Sequence, residues 1–379
     1  MAGLVSEQLA QGQAASPAAA DDNLEQKIRA RIEKCWPKYF PSLATRPAPE
    51  IVCLRGADSR GFSVMFEYEL KFARPRSEHL MVKVRRDSKF GPYLPSEVTE
   101  APELLRREFD ELSRAHRYFE RRGNGLRVVR PIEYCEDLNA VFIEKASGRD
   151  LGLVARTDEA ASLAAFRRCG QWLRSFHVKV HKPRLRVWTL GEFEARLMKR
   201  REKLVALGVP AGQLDALFPH IVKAARACRQ REVPCSLLHG DYKLRHIWAS
   251  PDAIEVFDFG NVHPGPCYVD VAAFLVELSV LKLGHPWFET DRVRRYSETF
   301  LRAYFPMQPP PLLSFYVVEA LLKKWMRRRR TWSRTSAAST LHTCVRRMGA
   351  KSLVERWYLD RWFVARIRES LEMAARASR

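Results

Sequence analysis

The stretch "LLHGDYKLRHIWASPDAIEVFDFG", from Leu237 to Gly260, constrains the chain most. Two short apolar runs each close on an acid beside a glycine. The first ends in His239-Gly240-Asp241, and the second, Ile254 to Phe257, ends in Asp258-Phe259-Gly260. Two short strands ending this way can present both acids at one edge. Buried acids need a partner, because an unpaired charge is costly to bury, and a metal ion bound to phosphate is a good one.

At 379 residues the chain has room for two cores or one large domain. With 46% hydrophobic and 29% charged residues it is globular in composition, not disordered. Apolar runs such as Val269 to Leu283 are broken by charge well short of a membrane span. The N-terminus lacks the basic start and apolar core of a signal peptide. The 8 cysteines include no Cys-x-x-Cys pair, so neither a zinc site nor a disulfide framework is suggested, and they read as reduced thiols of a cytoplasmic protein.

The net charge of +21 is unevenly spread: Trp287 to Arg379 holds 20 Lys and Arg against 8 Asp and Glu. Lys323, Lys324 and Arg327 to Arg330 are its densest part. Such a run is either a solvated helix face or an attractor of phosphate on an anionic substrate, a membrane surface or nucleic acid. No DNA-binding motif accompanies it, which disfavours nucleic acid. A peripheral contact with an anionic membrane surface stays open.

Residues 1–22 read as a flexible tail, with Asp21 and Asp22 capping a helix from Asn23 to about Trp36. Ile51 to Leu54 and Phe62 to Leu70 flank "RGADSRG" as a strand-loop-strand hairpin, and "HLMVKVRRD" alternates as a third strand. Pro102 opens a helix to about Arg121 with Leu105, Phe109, Leu112, His116 and Phe119 on one stripe. Val128 to Tyr134 and Ala140 to Glu144 follow as strands; from Asp158 onward the signals are mostly helical. The expected fold class is α+β, with a β-rich N-terminal lobe over 23–146, a larger helical lobe over 147–379, and a cleft between them.

"HGDYKLRH", followed by "DFG" 17 residues after its Asp, resembles the catalytic and metal-binding loops of the protein-kinase-like fold. It is most similar to the aminoglycoside phosphotransferase and choline kinase family. "MVKV", "RREFDEL", "VFIEKASGRDL" and "FRRCGQWLRSFH" stand in the family's order for the strand lysine, helix glutamate, interlobe hinge and following helix. "VFDFGNVHPGPCYVDVAAFL" resembles its metal-binding segment, with a Gly-Pro turn and an Asp opening a helix. The resemblance covers roughly residues 50 to 280.

The resemblance implies an ATP-dependent kinase that phosphorylates a hydroxyl of a small molecule, sugar, glycan or glycolipid. Asp241 would take or orient the acceptor proton, and Lys243 could touch the transferred phosphate or simply face solvent. Asp258 would hold Mg2+ or Mn2+. Lys83 would pair the ATP phosphates and be oriented by Glu108, which suits the buried edge of its helix better than Glu111. Gly56, Ser59 and Gly61 would offer loop amides to phosphate, although "RGADSRG" matches a glycine-rich loop poorly. Backbone groups around Glu144 to Ala146 would meet adenine. His177 and His239 read as packing residues and Asp270 as a brace for the catalytic loop.

His246 departs from the pattern by standing where the family usually has a metal-binding Asn. Either it ligates a metal such as manganese, or Asp258 and water hold the ion alone, or activity is impaired. The alternative function is therefore a pseudokinase that binds nucleotide and a partner. Protein kinase activity is disfavoured because Gly265-Pro266 stands where an Ala-Pro-Glu segment would follow. The basic C-terminal part favours a neutral or anionic acceptor over a polycation.

Overall fold

A computed structural model describes residues 17–59, 63–73, 76–85, 102–228, 230, 232–284, 290–335 and 349–377. The chain divides into two compact units, one of residues 1–113 and 129–145, the other of 114–128 and 146–379.

The first unit is built on a five-stranded antiparallel sheet. Its strands are β1 (Glu50–Ser59), β2 (Ser63–Phe72), β3 (Arg76–Arg85), β5 (Pro131–Cys135) and β6 (Ala140–Glu144), ordered β1-β2-β3-β6-β5. Period-two alternation does the work: Val64, Phe66, Tyr68 and Leu70 of β2 and Leu80, Val82 and Val84 of β3 are fully buried. Helix α1 (Pro17–Tyr39) covers them with Leu24, Ile28, Ile32 and Trp36. An Arg31–Glu133 ion pair of 2.7 Å and the Tyr39 hydroxyl bound to the same carboxylate fasten α1 to β5. Helix α2 (Pro102–Glu120) buries Leu105, Leu112 and Phe119 of its expected stripe together with Ala115, while Phe109 and His116 are half-buried.

The second unit carries most of the helices: α3 (Leu151–Thr157), α4 (Glu159–Ser175), α5 (Leu190–Ala206), α6 (Ala211–Asp215), α7 (Phe218–Ala227), α8 (Tyr268–Gly284), α9 (Thr290–Tyr304), α10 (Leu313–Thr335) and a C-terminal helix, Gly349–Ala377. Two small sheets lie among them. One orders β4 (Leu126–Val128), β11 (Ile254–Val256), β10 (Ile247–Ala249) and β7 (Arg149–Asp150); the other orders β12 (His263–Pro266), β9 (Glu232–Leu238) and β8 (Arg184–Val187). At its centre Trp172 stacks within 5.0–5.4 Å of the rings of Phe119, Phe176 and Tyr242. Its indole nitrogen donates to the Arg127 carbonyl at 3.0 Å.

Several expectations need correction. Residues 1–16 lie outside the described residues, but helix α1 already begins at Pro17, so Asp21 and Asp22 are inside it and do not cap it. Proline suits a first helical turn, and Ala18 to Ala20 are strong helix formers. Strand β1 runs on to Ser59 through register shifts at Cys53/Arg55 and Arg55/Asp58, which takes up most of the expected loop. The single strand expected over Val128 to Tyr134 is two, in different sheets: Pro131 lacks the N–H of a ladder interior and opens β5 instead. Beyond Asp158 there are more strands than the two expected, β8, β10 and β12 among them. Gly265 and Pro266 lie in strand β12, not in a turn.

Trp172 has its whole ring system packed, so Trp172→Ala is expected to cost about 3–5 kcal/mol. Urea unfolding followed by circular dichroism measures this.

Candidate active site

Strand β9 delivers His239-Gly240-Asp241 at its end, and the local fold needs the glycine. Gly240 has φ +75°, and a Cβ there would lie 2.0 Å from the Asn261 carbonyl oxygen. The buried Asp270 carboxylate, in the first turn of α8, accepts from the His239 amide at 2.7 Å and the Gly240 amide at 3.0 Å. It also meets His177 Nε2 at 3.1 Å, while His177 Nδ1 contacts the Tyr304 hydroxyl at 2.9 Å. Burial alone would raise the Asp270 pKa, but His177 and the His239 amide together hold it below the usual carboxylate value. The expected brace is therefore present in full. His239 is enclosed by Trp172, Tyr242 and Phe259, and burial pushes its imidazole down.

Asp241 is bound through both carboxylate oxygens by Lys243, the nearer contact to Oδ1 being 2.6 Å. Lys243 is only 6% exposed, so it does not face solvent. Burial lowers its pKa, the Asp241 carboxylate opposes that, and the charges of Arg245 and Arg327 add to the lowering.

His246 and Asp258 meet because β10 and β11 form a hairpin, with Ile247 opposite Val256. His246 Nε2 lies 3.2 Å from Asp258 Oδ2, and His246 Nδ1 lies 3.1 Å from the Asp241 backbone carbonyl. Asp258, two residues beyond the end of β11, has φ +65°, a left-handed backbone that Asp tolerates better than most residues. Burial drives the His246 imidazole down to about 4, so the ring is neutral near pH 7. Its ordinary pKa near 6.5 does not survive burial.

A neutral ring donating Nδ1–H to the Asp241 carbonyl turns the Nε2 lone pair toward the Asp258 carboxylate. Arg245 Nε donates to that same nitrogen at 3.3 Å. A metal cation taking the place of the guanidinium there would be shared by the imidazole nitrogen and the Asp258 carboxylate. Asp241, His246 and Asp258 can offer ligand atoms all within 4.8 Å of one another, so this donor set fits a divalent ion.

In the first unit, Lys83 Nζ donates to both oxygens of Glu108 at 2.7 and 3.0 Å, with the two side chains 17% and 6% exposed. Strand β3 turns Lys83 away from the face that buries Val82 and Val84, and α2 buries Glu108 beside Leu105 and Leu112. Gly56 and Ser59 lie in β1, and a Cβ at Gly56 would meet Glu25 at an ordinary 3.5 Å, so the space there does not demand glycine. Gly61 lies outside the described residues. The Glu144 amide donates to the Arg130 carbonyl at 3.0 Å, and the Lys145 amide to His79 at 3.1 Å, so neither is open to adenine. The Glu144 side chain pairs with Arg130 at 2.7 Å; Ala146 begins the second unit's main segment.

Sequence reading missed Tyr304 and Arg245. Tyr304 stands 127 residues from His177, and no local pattern links them. Arg245 adjoins His246, but its approach to the ring depends on the turn Leu244–His246.

A mixed sheet-and-helix fold of this kind is that of the kinase-like phosphotransferases. A solved choline/ethanolamine kinase family protein from Mesorhizobium loti shares it, at 14% identity and a TM-score of 0.50 over 92% of this chain and 99% of that one. The aminoglycoside phosphotransferase APH(4)-Ia aligns at 12% identity and 0.48, covering 92% and 98%. A glucosamine kinase aligns at 14% and 0.44, covering 77% and 93%. No curated protein matches the chain in sequence. The chain belongs to the phosphotransferase enzyme family APH, whose model matches residues 54–315. It is a kinase acting on an alcohol-group acceptor, and membership implies ATP and a divalent cation.

Gly240→Ala forces a left-handed alanine against a carbonyl. It is expected to lower stability by about 2 kcal/mol or more, read by chemical denaturation.

Proposed function

We propose that the chain transfers the γ-phosphate of ATP to a hydroxyl of a neutral or anionic sugar, glycan or glycolipid. The observation that carries this reading is the cluster of Asp241, Lys243, His246 and Asp258 at the ends of β9 and the β10–β11 hairpin. Asp241 orients the acceptor hydroxyl and takes its proton at a carboxylate oxygen. Lys243 holds that carboxylate in place and sets positive charge beside the transferred phosphoryl group. Asp258 and His246 hold the divalent cation, which when bound neutralises charge on the phosphate oxygens.

Lys83, fixed by Glu108, pairs the α- and β-phosphates. The amides near Gly56, Ser59 and Gly61 are proposed to meet phosphate, and the carbonyls of Glu144 and Lys145 with the Ala146 backbone to meet adenine. An imidazole ligand favours manganese relative to an all-oxygen site, with magnesium retained through Asp258. The +21 charge supports an acceptor that is not a polycation. The proposed setting is cytoplasmic; among the described residues no helix is long and apolar enough to cross a membrane. The proposed lobes are 23–146 and 147–379, with 1–22 as a tail of which residues 17–22 belong to helix α1. No observation favours the non-catalytic alternative.

Asp241→Asn is expected to reduce phosphoryl transfer by about 10²-fold or more while ATP binding stays within a few-fold. Calorimetry beside a turnover assay separates the two; undiminished turnover removes Asp241 from the mechanism. Asp258→Ala should abolish the increment in ATP affinity that a divalent ion supplies. His246→Asn should shift the ratio of activities from manganese toward magnesium, and an unchanged ratio would leave His246 outside the metal shell.

A further inference from the structure

Strand β8, Arg184 to Val187, is exposed at every residue. Among the described residues it forms the edge of the β12-β9-β8 sheet and pairs only with β9, Leu185 opposite Pro234 and Val187 opposite Glu232. Leu185 is 68% and Val187 63% exposed, among the largest values for any apolar side chain described. Exposed Lys179, Lys182, Arg184 and Arg186 surround them, and alternation sends the two arginines to the opposite side of the strand from Leu185 and Val187. Natural edge strands carry charge to avoid pairing, but they do not normally expose two large aliphatic side chains as well.

We propose that β8 and its flanking lysines form a contact surface for an anionic lipid bilayer. With the free edge of the strand toward the bilayer, Leu185 and Val187 on one side enter the interfacial layer, while Arg184 and Arg186 on the other side, with Lys179 and Lys182, reach the headgroups. Charge complementarity selects this occupant. A second copy of a +21 chain would be repelled. A four-residue edge offers an acidic peptide few ladder hydrogen bonds, whereas an extended anionic plane attracts the basic charge as a whole. Strand β9 lies beside β8 at about 4.8 Å and runs directly into His239, so the contact holds the catalytic loop near the bilayer surface. This inference rests on the strand and on charge, independent of the acceptor proposed above.

Flotation of the full chain with vesicles tests it, using phosphatidylcholine alone and phosphatidylcholine mixed with phosphatidylglycerol. The protein should float with the anionic vesicles only, and less as salt rises. Arg184→Glu with Arg186→Glu should weaken binding by at least about tenfold, and Leu185→Ser with Val187→Ser by several-fold. Unaltered ATP affinity in both pairs shows that they fold. Failure of the wild type to float on anionic vesicles overturns the proposal. So does equal flotation of the β8 variants when Lys323→Glu with Arg327→Glu, on α10, abolishes it. Binding of a polyglutamate peptide that the β8 variants lose, with vesicle binding unchanged, overturns it in favour of a protein partner.

Discussion

The buried carboxylate of Asp270 is the interaction on which the site depends. It accepts two consecutive backbone amides, those of His239 and Gly240, and so fixes the turn that aims Asp241. His177, held in turn by Tyr304, faces it from the other side. An ionised acid with three such partners tolerates burial, and removing one partner of a buried pair typically costs about 3–5 kcal/mol. The Gly240 backbone can take the required conformation only because it has no Cβ. The direction of Asp241 is thus a backbone property set by a neighbouring helix.

The cation cluster is assembled differently. Asp258 supplies charge, but its geometry comes from the β10–β11 ladder and from a left-handed backbone at its own position. His246 is oriented by the Asp241 carbonyl, so Asp241 and the His246–Asp258 pair share one piece of main chain. Substituting imidazole for an amide keeps a ligand atom facing Asp258 while changing its softness. Lys243 completes the group by occupying both Asp241 oxygens.

Much of this was legible in the sequence where the cause is local. Alternation along "SVMFEYELKF" and "HLMVKV" marks two strands of the first unit, and the spacing of Leu105, Leu112 and Phe119 marks α2. Glu108 rather than Glu111 is the partner of Lys83, as the position of the buried stripe suggests. Less legible was whatever depends on distant packing. The bulged extension of β1 through "RGADS" follows from pairing with β2, and the split around Pro131 follows from two sheets competing for adjacent residues. Burial of Lys243 and the depressed pKa of His246 come from neighbours that no window of sequence contains.

The hairpin that joins His246 to Asp258 has a kinetic consequence. Its contacts are local in the chain, so His246 and Asp258 can meet as soon as β10 and β11 zip together. The Asp270–His177 contact instead spans 93 residues and requires closure of a long loop. Closing the short loop costs less chain entropy than closing the long one. The proximity of His246 and Asp258 thus has its origin within a dozen residues of chain, whereas the direction of Asp241 depends on a partner far along the sequence.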